Sequence, residues 1–192
     1  MKYKIGIYGS AVNDVEEINH KAVELGKELG KNDVILITGA GHGIPCLVAA
    51  TAIKSNPHVE IWGFPPTTTI EELVEYMPQA DLSIYKKIFY VPHDFQHVSN
   101  IGACRQYRNL MSTATADAGI VMTGRWGSMS EFASLREMGK VIGVLTNSGG
   151  VADELEELSK KLNKESKGKV IFNSSPQELI KQVLKELDRV KA

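Results

Sequence analysis

Apolar residues along the chain recur in two alternating patterns. Short β-branched or aliphatic runs predict buried strands, and stretches with apolar positions three and four apart predict helices. Residues 3–8 (YKIGIY) read as a first strand ending at Gly9-Ser10. Val15, Ile18, Ala22, Leu25 and Leu29 then mark a helix that Gly30 closes. Residues 34–37 predict a second strand. The turn Thr38-Gly39-Ala40-Gly41-His42-Gly43 follows, and then a helix with Pro45 at its first position and apolar residues through Ile53. Residues 59–62 predict a third strand, and Thr69-Ile70-Glu71-Glu72 a capping box that opens a short helix. The alternation over residues 84–91 predicts a fourth strand.

The second half repeats the scheme. Residues 100–115 read as helix and 118–122 as strand, with the turn Gly124-Arg125-Trp126-Gly127-Ser128 leading into a helix to about residue 138 and Gly139 as its stop. Residues 141–145 and 170–172 predict the last two strands, residues 153–162 and 175–190 the last two helices, and residues 164–169 a solvated lysine-rich turn. Short apolar strands alternating with helices imply a parallel sheet covered on both faces. The expectation is one α/β domain over residues 1–192, doubly wound as a three-layer sandwich with about seven mostly parallel strands.

Composition narrows the function. The 22 Lys and Arg residues are matched by 23 Asp and Glu, a net charge of −1, so the excess of cations typical of nucleic-acid binders is missing and no nucleic-acid partner is expected. Cys46 and Cys104 form no C-x-x-C pair, so neither a disulfide framework nor a zinc ribbon is indicated and both thiols are expected reduced and packed. The N-terminal apolar run is too short for a signal peptide, and no stretch reaches the roughly 20 apolar residues of a membrane span. A cytoplasmic protein without membrane contact is expected.

Three glycine-bearing turns lie at predicted carboxyl ends of strands: Gly9-Ser10, Gly39 to Gly43, and Gly124 to Ser128. Ligands of open α/β sheets bind there, and helix-start amides exposed beside glycine form anion sites. A phosphate suits them. Gly39-x-Gly41-x-Gly43 lacks the G-x-G-x-x-G spacing of dinucleotide sites, and no Gly-Lys-Ser/Thr follows a strand as in P-loops. A mononucleotide or sugar phosphate fits better than NAD or ATP, and no cofactor is expected. His93 and His97 sit four apart without the glutamate of a zinc protease helix, so no metal site is predicted.

The segment Arg108-Asn109-Leu110-Met111, Asp117-Ala118 and Thr123-Gly124-Arg125-Trp126-Gly127-Ser128-Met129-Ser130-Glu131 resembles the signature of the LOG (Lonely Guy) family, long labelled lysine decarboxylases, in the Rossmann-like nucleotide-binding SLOG superfamily. That signature is an Arg-Lys pair, an Asp nine residues beyond the Arg, and P-G-G-x-G-T-x-x-E; the spacing from Arg108 through Asp117 to Glu131 matches without a gap. IGIYGSA, the turn 38–43 and Val59-Glu60-Ile61-Trp62-Gly63-Phe64-Pro65 resemble the family's first three strands and turns, so the likeness spans most of the chain. It implies a Rossmann-like homodimer that binds a nucleoside 5′-monophosphate and, as a phosphoribohydrolase, releases base and ribose 5-phosphate. Arg108 and Glu131 match the residues that such enzymes need. Relatives on the same scaffold, molybdenum-cofactor carriers among them, hold a phosphorylated ligand without hydrolysing it. Thr123, Arg125, Ser128, Ser130 and Asn109 depart from the pattern; Arg125 in place of glycine puts either a cation in the phosphate loop or a side chain across the pocket.

The candidate catalytic residues are therefore Arg108 and Glu131. Cleaving a base–ribose bond builds positive charge that a carboxylate stabilises, and arginine's planar fork suits phosphate. Ser128-Met129-Ser130-Glu131 also fits a capping box in which Glu131 only bonds its cap. Arg105 lies one turn before Arg108, on the same helix face. Candidate ligand contacts are Gly9, Ser10, Gly39, Gly41, His42, Gly43, Gly124, Arg125, Trp126, Gly127 and Ser128. Ser128 serves equally as a helix cap, and Trp126 either stacks on a base or packs in a core or interface. Asp117 is expected to cap a segment at a strand entrance.

Overall fold

The computed structural model describes residues 2–12, 15–162 and 167–191. Its elements follow one another as β1 (Tyr3–Gly9), α1 (Glu16–Gly30), β2 (Val34–Thr38), α2 (Ile44–Ser55), β3 (Glu60–Gly63), α3 (Ile70–Tyr76), β4 (Lys87–Ile88), α4 (Ile101–Thr115), β5 (Ala118–Met122), α5 (Trp126–Glu137), β6 (Val141–Leu145), α6 (Val151–Leu162), β7 (Val170–Asn173) and α7 (Pro176–Lys191). The strands form one parallel sheet in the order β4-β3-β2-β1-β5-β6-β7. Strand order reverses between β1 and β5, which opens a crevice at their carboxyl ends. This is the expected Rossmann-like three-layer α/β sandwich.

The pleat explains how the two largest apolar clusters divide between the faces of the sheet. Ile5 and Ile7 of β1 and Ile120 and Met122 of β5 face one side, where Leu25 and Leu29 of α1, Val48 of α2 and Val183 of α7 bury them. The alternate residues Tyr8, Val121, Ile142 and Val144 face the other side, under Phe132 and Leu135 of α5 and Leu155 of α6. A fully buried side chain such as Leu135 stabilises the fold by about 1.5–3 kcal/mol. Asp117 accepts the Lys4 amide at 2.8 Å while its own amide donates to the Lys4 carbonyl, so it does pin a strand entrance. Thr69 caps α3 by accepting from the Glu72 amide at 3.2 Å, and Asn100 caps α4 through the Gly102 and Ala103 amides.

Several expectations change. Of residues 84–91 only Lys87–Ile88 pairs as a strand, at the sheet edge. The preceding Tyr85 is drawn instead to Thr38, with hydroxyls 2.9 Å apart, and Phe89 stacks on Phe64 with centroids 4.8 Å apart. The alternation there serves side-chain packing. Val15 stands before α1 as its N-cap, 66% exposed, so the buried stripe begins further along the helix. Pro45 is the second residue of α2. Residues 164–166 of the lysine-rich turn lie outside the described residues. Both cysteines are free thiols, Cys104 buried and Cys46 half-buried. Among the described residues no helix is long and apolar enough to cross a membrane.

Candidate functional site

Helices α2 and α5 start where β2 and β5 end, so their first turns meet at the carboxyl edge of the sheet, and α4 reaches the same place with its second and third turns. A cavity of about 460 Å³ opens there. Gly9 and Ser10 leave β1 into its wall, Gly39, Gly41 and His42 leave β2, and Arg125, Gly127 and Ser128 enter from the start of α5. Arg105 and Arg108 of α4 add two cations to the lining, and Glu131 of α5 adds a carboxyl group.

Glu131 and Arg108 meet at the floor. The Arg108 Nη1 donates to Glu131 Oε1 at 3.3 Å; the carboxylate side chain is 5% exposed and the arginine 24%. Burial pushes the Glu131 carboxyl up to about 7, against the pull of the Arg108 charge. Such a group changes its protonation within the physiological range, as acid–base chemistry requires. Gly39 makes the meeting possible, since a Cβ there would lie 2.6 Å from Arg108 Nη1.

Helix phase decides what Glu131 does. Arg125 is the N-cap of α5, so Ser128 is the third helical residue and Glu131 the sixth. The capping-box alternative is thereby corrected: Glu131 turns inward to Arg108. Ser128 is buried where a Cβ on Gly124 would sit, which holds the α5 start close under the β5 turn. The first amides of the helix lack intrahelical acceptors and carry the positive end of its dipole, and Arg125 beside them adds a full charge. Arg125 also lines the cavity.

Not every expected contact is brought in. Trp126 is 86% exposed and does not line the cavity, so it neither stacks over it nor packs in the core. Gly43 and Gly124 also lie outside the lining. Gly43 instead lets the β2 turn press against the first turn: its φ is +83° and ψ −159°, a region essentially restricted to glycine, and a Cβ would collide with the backbone of Ser10 and Ala11. Gly43→Ala is expected to cost about 1–3 kcal/mol. A thermal melt that left the midpoint unchanged would contradict this.

Other lining residues carry no local signal in the sequence. Cys46 donates from Sγ to the Gly41 carbonyl at 3.1 Å and lies 3.3 Å from the Tyr85 hydroxyl, so a Thr38–Tyr85–Cys46 chain supports the β2 turn from beneath. Burial raises the Cys46 thiol pKa and keeps it protonated. Tyr76 and Met77, at the end of α3, form the outer wall with His42, whose Nδ1 lies 3.1 Å from Met77 Sδ. Two non-glycine residues beside these turns, Ala40 and Thr123, have φ of +51° and +53°. Such conformations cluster at functional sites.

The model of the SLOG cluster4 family matches residues 2–180. The chain belongs to that family. No curated protein matches it in sequence. This SLOG cluster4 protein is similar to the molybdenum cofactor binding protein from the phototrophic bacterium Rippkaea orientalis, with 18% identity and a TM-score of 0.73 over 97% of this chain and 98% of that one. It is also similar to the molybdenum cofactor carrier protein from Chlamydomonas reinhardtii, at 17% identity and a TM-score of 0.69 over 98% and 99% of the two chains. A third similar structure is DNA processing protein A from Helicobacter pylori, described for its single-stranded DNA binding mode, at 21% identity and a TM-score of 0.66 over 96% and 81%. These likenesses establish the fold alone. A scaffold shared with a single-stranded DNA binder does not exclude nucleic acid, so that expectation for this SLOG cluster4 protein rests on its balanced charge only.

Proposed function

We propose that the cavity binds a nucleoside 5′-monophosphate and that Arg108 and Glu131 act in hydrolysing its N-glycosidic bond. The observation that carries this reading is the buried Glu131 carboxyl, poised near 7 and held by Arg108, inside a cavity that two further arginines line. The phosphate fits the α5 start, where helix amides and Arg125 converge. The sugar then reaches the floor. As the C1′–N bond breaks, its electron pair leaves with the base, which takes up a proton, and positive charge develops at C1′. Ionised Glu131 stabilises that charge and accepts a proton from the water whose oxygen bonds C1′. The products are free base and ribose 5-phosphate.

A second reading, a carrier that holds a phosphorylated ligand without turnover, is favoured by one observation: the Glu131 carboxylate is already engaged by Arg108. Incubating the purified protein with AMP, GMP, IMP, CMP and UMP separates the two. Free base in the chromatogram with at least one of them, together with a raised melting temperature, is the expected result. Stabilisation without base leaves the carrier, and the absence of both rejects nucleotide binding altogether.

A further inference from the structure

The outer wall of the cavity carries a donor set that glycosidic chemistry does not use. Arg105 donates from Nη2 and Nε to the Tyr76 hydroxyl at 2.6 and 3.0 Å, and its guanidinium carbon lies 5.8 Å from the centre of the Tyr76 ring. These bonds tie α4 to the end of α3 and orient the guanidinium at the cavity mouth. Its Nη1 group makes no hydrogen bond, and no carboxylate pairs with Arg105, among the described residues. Beside it, the Tyr76 ring, the Met77 thioether and the His42 imidazole give a polarisable surface suited to a planar base.

The charged groups of the lining are biased towards cations. Among the described residues, its three arginines only donate hydrogen bonds, Glu131 is the one carboxylate of the lining, and no Asn, Gln or Asp belongs to it. Glu131 is held by Arg108 and its side chain is only 5% exposed. An arginine fork matches the O6 and N7 acceptors of a 6-oxopurine, whereas the N6 donor and N7 acceptor of adenine call for a carboxamide. Resting on the nucleotide reading above, we infer that Arg105, oriented by Tyr76, is a specificity-determining residue that selects 6-oxopurine nucleotides over 6-aminopurine nucleotides.

Equilibrium binding of IMP and AMP tests this directly, because the two ligands differ only at the purine 6-position edge. The wild-type protein is expected to bind IMP about tenfold more tightly than AMP, the discrimination of a modest bidentate pair. Arg105→Met should cost IMP about tenfold more affinity than it costs AMP, so that the preference disappears. Tyr76→Phe keeps the ring but frees the guanidinium, so it should narrow the preference severalfold; it also covers a failure of the arginine variant to fold. Equal or tighter binding of AMP overturns the inference. So does an equal loss for both ligands in Arg105→Met, which would make Arg105 a phosphate ligand. In either case tight binding of both monophosphates leaves the nucleotide reading standing, whereas no binding of either removes that reading and the inference together.

Discussion

Glu131→Gln is expected to lower base release by about 10²–10⁴-fold, the usual contribution of a positioned acid–base group, with nucleotide binding retained. Glutamine keeps the shape and an acceptor for Arg108 but can neither carry the charge that meets C1′ nor take a proton from water. In the wild-type protein the rate should rise with pH through a midpoint near 7, because burial holds Glu131 protonated below that value. A variant that still releases base at the wild-type rate would remove Glu131 from the chemistry. Stability supplies a second readout. The folded pKa is raised from 4.5 to about 7, so the folded state binds the proton more tightly than the unfolded chain. The contribution of this group is complete below pH 4.5, is lost as pH rises to about 7, and is level above that; its size is about 3 kcal/mol. The melting temperature of Glu131→Gln should lack that decline.

Arg108→Met should weaken nucleotide binding by about 10–100-fold, the equivalent of one or two charge-assisted hydrogen bonds. It should also destabilise the protein, and the loss should depend on pH. Without its cation the buried carboxyl has only the desolvation cost, so its pKa moves further above 7. At pH 6 the group is protonated in either protein and little is lost. At pH 8 the wild-type pair is ionised and the variant must either bury a bare charge or hold a proton against the solution. Breaking a buried pair costs up to about 3–5 kcal/mol, and proton uptake limits this. Urea unfolding at the two pH values measures it, and an equal loss at both would contradict the ion-pair account of this floor.

The fold and the glycine turns were legible because their signals are local. Strand runs such as residues 118–122 and stops such as Gly139 depend on neighbours a few positions away. The edge strand failed for the opposite reason: the alternation over residues 84–91 is real, but Tyr85 satisfies it at Thr38 and Phe89 at Phe64. In the site, Arg108 and Glu131 stood out through a family spacing, not through any local pattern. The role of Glu131 turned on helix phase. A helix that starts at Trp126 instead of after Ser128 rotates every later side chain by about 100° per residue of offset, and so turns the carboxyl from its own cap to a neighbouring helix. Tyr76, Met77 and Cys46 carried no signal, because their partners lie 29–39 residues away in the chain.

Periodicity and turn chemistry in the linear chain are enough to specify strands, helices and their alternation, hence a parallel sheet whose glycine turns share one edge. Those are short-range properties of the backbone and its immediate side chains. Which residues face one another across that edge is a long-range matter of packing. The burial that raises the Glu131 pKa, the approach of Arg108 over Gly39, the hold of Tyr76 on Arg105 and the outward turn of Trp126 exist only once α3, α4 and α5 are docked on the sheet. The cost of burying a charge is set by everything packed around it, and a linear pattern does not contain that information.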